Sequence, residues 1–293
     1  MSSNSQPPPF ADREYWNKRF AAHPLPFDWL LPSNTLIPVI APPAVSAPPA
    51  TLVTVSRQQQ PPPSILHIGC GNSDLSFRLR VLVERPEHVC NVDFAEEAVR
   101  WGRMMEEKIF SESNENGVAE HGGAGNGPAT PSMLWTTADL LSYPSLSSAC
   151  APSAPYALIV DKSTSDSIAC GEDIPIELPY TLSSTSAPAT STPAAARYVH
   201  PLHLLAVHLA ALTAPGSRWV ALSYSRSRFP FFEYADATPD EEIDDVLGEP
   251  AATAPGTPPG TRAGGWEGEG MVVHRPKIYH YLYVMVRTEK EVG

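Results

Sequence analysis

Basic residues are scarce in this chain, with 20 Lys and Arg against 32 Asp and Glu and a net charge of −12. A surface that follows a phosphate backbone needs the opposite balance, so nucleic acid is excluded as the main partner. Cysteine is scarcer still: four residues, scattered, with no C-x-x-C spacing. That gives no disulfide framework and predicts a reduced, intracellular protein. No apolar run is long enough to span a bilayer. The first residues show neither the apolar core of a secretion signal nor an Arg-rich amphipathic stretch. Together these absences predict a soluble, cytoplasmic monomer without a membrane partner.

Proline, by contrast, is abundant, with 33 residues that fall in clusters. Segments near 32–63, 111–131, 145–155, 179–196 and 236–265 lack helical or strand periodicity and read as solvated insertions. Without them, roughly 150–180 patterned residues remain, enough for one α/β core. The expected organisation is an N-terminal helix and aromatic turn over 1–31, a Pro-rich linker over 32–63, and a single domain over 64–293. The acidic run over 236–245 could attract a basic partner, although such runs are usually hydrated loops.

The most informative stretch is Ile65-Leu66-His67-Ile68-Gly69-Cys70-Gly71-Asn72-Ser73-Asp74. Four mainly apolar residues suit a strand covered on both faces. Gly69 and Gly71 allow a tight turn and leave no Cβ in a ligand's way, with Cys70 as a small filler between them. Asn72, Ser73 and Asp74 can cap a helix through Leu75, Phe77, Leu79 and Leu82. A dinucleotide fingerprint would need a third glycine where Asp74 stands, and a P-loop would need a Gly-Lys-Ser/Thr ending. Both are missing. A second strand ends at Asp93, about twenty residues on, where a carboxylate can accept ribose hydroxyls. This combination suits a nucleoside without a pyrophosphate, of which S-adenosylmethionine (SAM) is the commonest.

Further strands are expected over 133–140, 156–162, 218–224, 271–273 and 279–288, with helices over 10–20, 96–110 and 198–212. Strands alternating with helices imply a Rossmann-like, doubly wound, seven-stranded sheet, mostly parallel. The closing pair leaves no room for a helix between its strands, so the last should run antiparallel. Asp93, Asp139 and Asp161 then all sit at carboxyl ends of strands, where such sheets bind ligands. His200, His203 and His208 share one predicted helix, but no acid accompanies them, so no metal site is expected.

The sequence resembles the class I (seven-β-strand) SAM-dependent methyltransferases, and among them the branch of the eEF1A and citrate synthase lysine methyltransferases. The matching residues are Tyr15-Trp16, Arg19-Phe20, Phe27-Asp28-Trp29, the run over 65–76, Asn91-Val92-Asp93, Asp139-Leu140, and Asp161 to Asp166 (DKSTSD). The resemblance implies that Gly69, Cys70, Gly71, Asn72 and Ser73 line the methionine part of SAM. It also implies that Asp93 holds the ribose and that Asp139 and Leu140 bracket the adenine. Trp16 and Arg19 would close the pocket. Asp161 and Lys162 would sit where the methyl meets the acceptor. Asp161 or Asp166 would accept the proton or orient the amine, and Lys162 would be a catalytic base or a structural ion pair with Asp161. The implied partner is a basic, lysine-bearing protein. Four features depart from the branch. Ser163 replaces the motif glycine, and Ser167 stands where a small residue normally follows the second acid. Leu30 stands where Tyr often follows the Trp, and the Pro-rich insertion separates the N-terminal segment from the core by over thirty residues. The N-P-P-Y type motif for planar amides is also missing. A small-molecule methyltransferase and a non-catalytic module on the same fold are the rival expectations.

Overall fold

The computed structural model describes residues 7–41, 64–115, 131–177, 180, 182, 197–233, 266–274 and 280–289. The insertion expected near 236–265, and most of those near 32–63, 111–131 and 179–196, lie outside the described residues.

Nine strands occur among them: β1 (Ile65–Ile68), β2 (Val89–Asp93), β3 (Leu134–Thr137), β4 (Tyr156–Lys162), β5 (Ile174–Ile176), β6 (Arg197–Val199), β7 (Thr213–Ser223), β8 (Trp266–His274) and β9 (His280–Arg287). Seven form one sheet in the order β3-β2-β1-β4-β7-β9-β8, while β5 and β6 make a small antiparallel ribbon. From β3 to β7 the pairing is parallel, and β9 runs antiparallel between β7 and β8, as the short connection required. Chain order reverses between β1 and β4. In a doubly wound sheet the crevice outside that switch point is where ligands bind.

The helices are α1 (Arg13–Ala22), α2 (Ile37–Ile40), α3 (Leu75–Arg80), α4 (Glu96–Glu115), α5 (Tyr143–Cys150), α6 (Thr164–Ile168), α7 (Pro201–Ala211) and α8 (Pro230–Glu233). Alternate residues of the central strands feed two cores. Leu66, Ile68, Val92, Ile159 and Trp219 pack with Leu202, Leu205 and Leu209 of α7 on one face. Ile65, Val89, Val160, Val220 and Leu222 pack with Leu75 and Leu79 of α3 on the other. Ten of the eleven α7 residues are buried, which explains its near-continuous apolar sequence.

Several boundaries differ from expectation, each for a local reason. The stretch over 145–155 is not an insertion. It holds most of α5 and a 3-10 turn over Ala151–Ser153. Pro144 sits in the first turn, where its missing N–H is harmless, and Leu146 and Cys150, one turn apart, are buried. The head of the Pro-rich segment is likewise ordered. Ser33–Thr35 and α2 form two short helical pieces, and Leu36 and Ile40 are buried against α3. Tyr198 belongs to β6 rather than to a helix, since His200 caps α7 by accepting from the Leu202 amide and Pro201 starts it. Residues 214–216, between the expected helix and the expected strand over 218–224, lie inside β7 where its pairing with β4 shifts register, and Gly216 takes a positive φ of 84°.

Candidate functional site

β1 ends in a turn that only glycine suits. Gly69 has φ +55°, and a Cβ there would lie 2.1 Å from Thr164 Oγ1. Gly71 has φ +53° and faces the ring of Phe20. Its amide donates 2.9 Å to Asp93 Oδ2, and the Ala95 amide donates 2.8 Å to Asp93 Oδ1. Each oxygen keeps further lone pairs. Burial pushes the Asp93 pKa up to about 6, although the backbone amides favour the charged form. Two strands away, the Leu141 amide donates 2.8 Å to Asp139 Oδ1, which folds Asp139, Leu140 and Leu141 into a shelf. His208, fully buried, lies within hydrogen-bond distance of the Leu140 carbonyl through Nδ1 and of the Tyr180 hydroxyl through Nε2, pinning that shelf from behind.

These groups surround one cavity of about 440 Å³, between the carboxyl ends of β1, β2 and β4 and the N-terminal segment. Trp16, Gly69, Cys70, Gly71, Asn72, Ser73, Asp93, Asp139, Leu140 and Lys162 all line it. The other three expected site residues do not. Arg19 lies outside, with its guanidinium 4.6 Å from the Phe27 ring centre and 5.7 Å from that of Trp29, so it buttresses the rings from behind. Asp161 is fully buried and caps α6, accepting from the Thr164 amide (2.8 Å), the Ser165 amide (3.2 Å) and, in a very short contact, the Ser165 hydroxyl. Asp166 is held by Arg228 Nε at 2.7 Å and by the Ser223 hydroxyl at 2.5 Å. Neither carboxylate is placed to accept a proton inside the first cavity.

Asn72 and Ser73 do more than line the cavity. Asn72 Nδ2 donates to the carbonyls of His23 (3.1 Å) and Leu25 (2.6 Å), and its own carbonyl accepts from the Phe27 amide at 3.2 Å. The Ser73 hydroxyl donates 2.8 Å to Asp28 Oδ1 and also accepts from the Leu75 amide, so Ser73 rather than Asp74 caps α3. Asp74 instead pairs with Arg78 one turn on. The N-terminal segment is thereby bound to the glycine turn. Over the cavity it carries a cluster of rings, with Phe10, Trp16 and Trp29 centred 5.3 to 5.9 Å apart.

Two residues missed by sequence reasoning are central. Asp28 gathers Ser33, Ser73 and Lys162, and the one signal for it was a charged residue between Phe27 and Trp29. His67 lines the cavity from inside β1, with Nδ1 2.9 Å from Ser76 Oγ and 3.2 Å from Asn91 Oδ1. Burial lowers its pKa to about 4, so it is neutral. Within β1 it read simply as a strand residue.

The residues suit a nucleoside without a pyrophosphate. Among the described lining residues, Arg13 and Lys162 carry a positive charge; Lys162 is buried against Asp28, and Arg13 pairs with Glu96 at the exposed rim. The buried cation is thus already paired, while Asp93 offers an acceptor pair suited to a diol. A second cavity adjoins the first and shares Phe10, Ala11, Trp29, Ser167, Gly171 and Glu172 with it. Its remaining walls include Asp12, Asp166, Cys170 and Tyr224, with no Lys or Arg among the described lining residues. No cluster of three metal-ligating side chains occurs among the described residues; His200 and His203 meet edge to face, while His208 sits apart against Leu140 and Tyr180.

No family model matches the chain. It is 30% identical over 176 residues to "Methyltransferase srdJ" of Neurospora crassa, covering 59% of this chain and 60% of that protein. The match thus spans under two thirds of the relative. Among solved structures, a SAM-dependent methyltransferase from Anabaena variabilis aligns over 97% of this chain and 96% of its own, at 11% identity and a TM-score of 0.46. The N-methyltransferase NodS from Bradyrhizobium japonicum, in complex with S-adenosylhomocysteine (SAH), aligns over 78% and 79% at 12% identity and a TM-score of 0.41. Scores this low add nothing to the strand order given above.

Proposed function

We propose that this protein is a SAM-dependent methyltransferase and that its acceptor is an amine, in the first instance a lysine of a basic protein. The observation that carries the cofactor reading is the cavity walled by Gly69–Gly71, Asp93 and the Asp139–Leu141 shelf, whose buried lining cation, Lys162, is already paired with Asp28. The similarity to a methyltransferase over 176 residues supports it. In this reading Asp93 holds the ribose, Leu140 and Leu141 flank the base, and the turn through Gly69 and Gly71 borders the amino-acid part. When bound, SAM supplies a methyl already activated by its sulfonium. The chain's own residues therefore need only align the acceptor and exclude water. The rings of Trp16, Phe20, Phe27 and Trp29 supply the apolar wall on that side.

The second cavity supports the amine. A lysine with a free pKa near 10.4 must shed a proton, at about 4–5 kcal/mol at pH 7. Phe10, Trp29 and Tyr224 offer apolar surface to the side chain's methylenes, while the Asp12 and Asp166 carboxylates favour the charged amine on its way in. Glu172, exposed where the two cavities meet, would attract the ammonium before it enters. A small-molecule amine fits the same chemistry. The deciding experiment incubates the protein with radiolabelled SAM and a size-fractionated cell extract, beside Asp93→Ala. Label in one protein band supports the lysine reading, label confined to small molecules replaces it, and no Asp93-dependent label with no SAH binding by calorimetry rejects the enzyme.

A further inference from the structure

Lys162 ends β4 with its side chain 4% exposed, and an ammonium buried that deeply needs a counter-ion. That counter-ion comes from 134 residues away: Nζ donates 3.0 Å to Asp28 Oδ1, in the aromatic turn of the N-terminal segment. The same carboxylate accepts from the Ser33 amide (2.9 Å), the Ser33 hydroxyl (2.6 Å) and the Ser73 hydroxyl (2.8 Å). Four segments therefore converge on one side chain: the aromatic turn, the helical piece after it, the glycine turn and the end of β4. The hydrogen bonds from Ser33, together with the charge of Lys162, hold the Asp28 pKa down to about 2 despite its partial burial, so the pair is ionic.

We infer that Asp28 and Lys162 form a positioning pair that fixes the aromatic segment over the cavity, and that Lys162 serves here rather than as a catalytic base. Few other hydrogen bonds tie the aromatic turn to the core. Asn72 holds the carbonyls of His23 and Leu25 and the Phe27 amide, and Trp101 Nε1 donates to the Pro24 carbonyl at 2.6 Å. These lie on the N-terminal side of Asp28; on its C-terminal side Leu30 and Leu31 pack against the core, and Leu36 and Ile40 are buried in it. Trp29 follows it directly and lines both cavities, so Asp28 anchors the far side of that wall. A proton-accepting lysine would need a free neutral amine. Lys162 instead has its hydrogen-bonding direction committed to a carboxylate that is itself fixed by two serines.

The test uses the full chain and two readouts. The first is hydrogen exchange of residues 24–31 without ligand, in wild type, Asp28→Asn, Lys162→Met, Lys162→Arg and the Asp28→Asn/Lys162→Met double variant. The pair predicts several-fold faster exchange in each neutralised single variant and no further gain in the double, because the two substitutions remove one interaction. Lys162→Arg, which keeps the charge, should recover much of the protection. Additive effects, or unchanged exchange in Lys162→Met, would overturn the pair. The second readout is SAH affinity by calorimetry, which rests on the cofactor reading proposed above. Asp28→Asn and Lys162→Met should each weaken it on the order of tenfold, as expected for loss of one charge-assisted contact. Unchanged affinity in both would deny the pair any part in shaping the cavity. Failure of wild type to bind SAH would sink the cofactor reading, and the exchange data would still judge the pair.

Discussion

The Thr164 hydroxyl donates a 2.9 Å hydrogen bond to the carbonyl of Ile68, and so fills the space a side chain on Gly69 would need. Residues 96 positions apart thereby lock the glycine turn of β1 against the start of α6. The glycine is required twice, by its φ of +55° and by a neighbour 2.1 Å from where a Cβ would lie.

Gly69→Ala should therefore cost about 1–2 kcal/mol for the left-handed backbone and about 1–3 kcal/mol for overpacking. The nearest atom belongs to a β-branched side chain already hydrogen-bonded, so it cannot swing away. Thermal denaturation should show the loss, and calorimetry should show SAH binding reduced beyond detection. Gly71→Ala meets the Phe20 ring at 3.4 Å, ordinary contact, and should pay the backbone term alone. Equal melting temperatures for the two variants would mean that packing against Thr164 does not matter.

Asp93 predicts a pH dependence of both stability and binding. Its folded pKa, about 6, lies above the usual 3.8 because burial disfavours the charge. The folded state then holds its proton more tightly than the unfolded chain. Stability from this group is fully present below about pH 4 and is lost as pH rises to 6, on the order of 3 kcal/mol. Ribose hydroxyls donating to the carboxylate favour its charged form, so SAH should bind more tightly as pH rises from 5 to 7. Asp93→Asn should flatten the stability profile and lose SAH affinity, although its amide nitrogen cannot accept the second backbone N–H, a loss set against the relieved buried charge. A stability profile as steep in Asp93→Asn as in wild type would move the effect to another group.

Much of this was legible in the sequence, and the exceptions share a cause. β1, β4 and the antiparallel last strand were readable because buried strands announce themselves through apolar runs and short connections. The cavity side of β1 and β2 was readable because glycines and a strand-end acid have few alternative uses. The fate of Asp161 and Asp166 was not. Both stand at or near the end of β4, where ligand-binding acids are expected, yet the partners that occupy them are a neighbouring turn and Arg228, more than sixty positions from either. Lys162 shows the same limit, since its partner lies 134 residues away. Composition misled at 145–155 and 33–40, where Ser, Ala and Pro suggested loops although two or three apolar residues at helical spacing sufficed to bury a short helix.

Ser163 is the departure that the backbone explains. It sits before α6 with φ +69°, the left-handed region, where L side chains other than Asn and Asp are strained. Its hydroxyl offers little in return, at 3.4 Å from the Leu222 carbonyl. Ser163→Gly should relieve about 1–2 kcal/mol of strain while giving back about 0.5–1 kcal/mol in unfolded-chain entropy. A net rise of about 1–4 °C in melting temperature is expected. A fall in melting temperature would show that the Leu222 contact outweighs the strain.

Asp161 provides the sharpest separation between a structural and a chemical carboxylate. Both of its oxygens are engaged within one turn of α6, and it is fully buried outside the cavity. Asp161→Ala leaves two amides and a hydroxyl without their acceptor, which should cost about 2–3 kcal/mol and lower the melting temperature by about 4–12 °C. Asp161→Asn keeps one acceptor oxygen for the two amides and removes a charge whose pKa burial has raised to about 6. Its stability should exceed that of the alanine variant, and the gap from wild type should narrow as pH rises from 4 to 7. Binding gives the other half of the test. If Asp161 only starts α6, the Asn variant should bind SAH within about threefold of wild type, since no direct contact is lost. A tenfold or greater loss of affinity in a variant that still melts cooperatively would return Asp161 to the site.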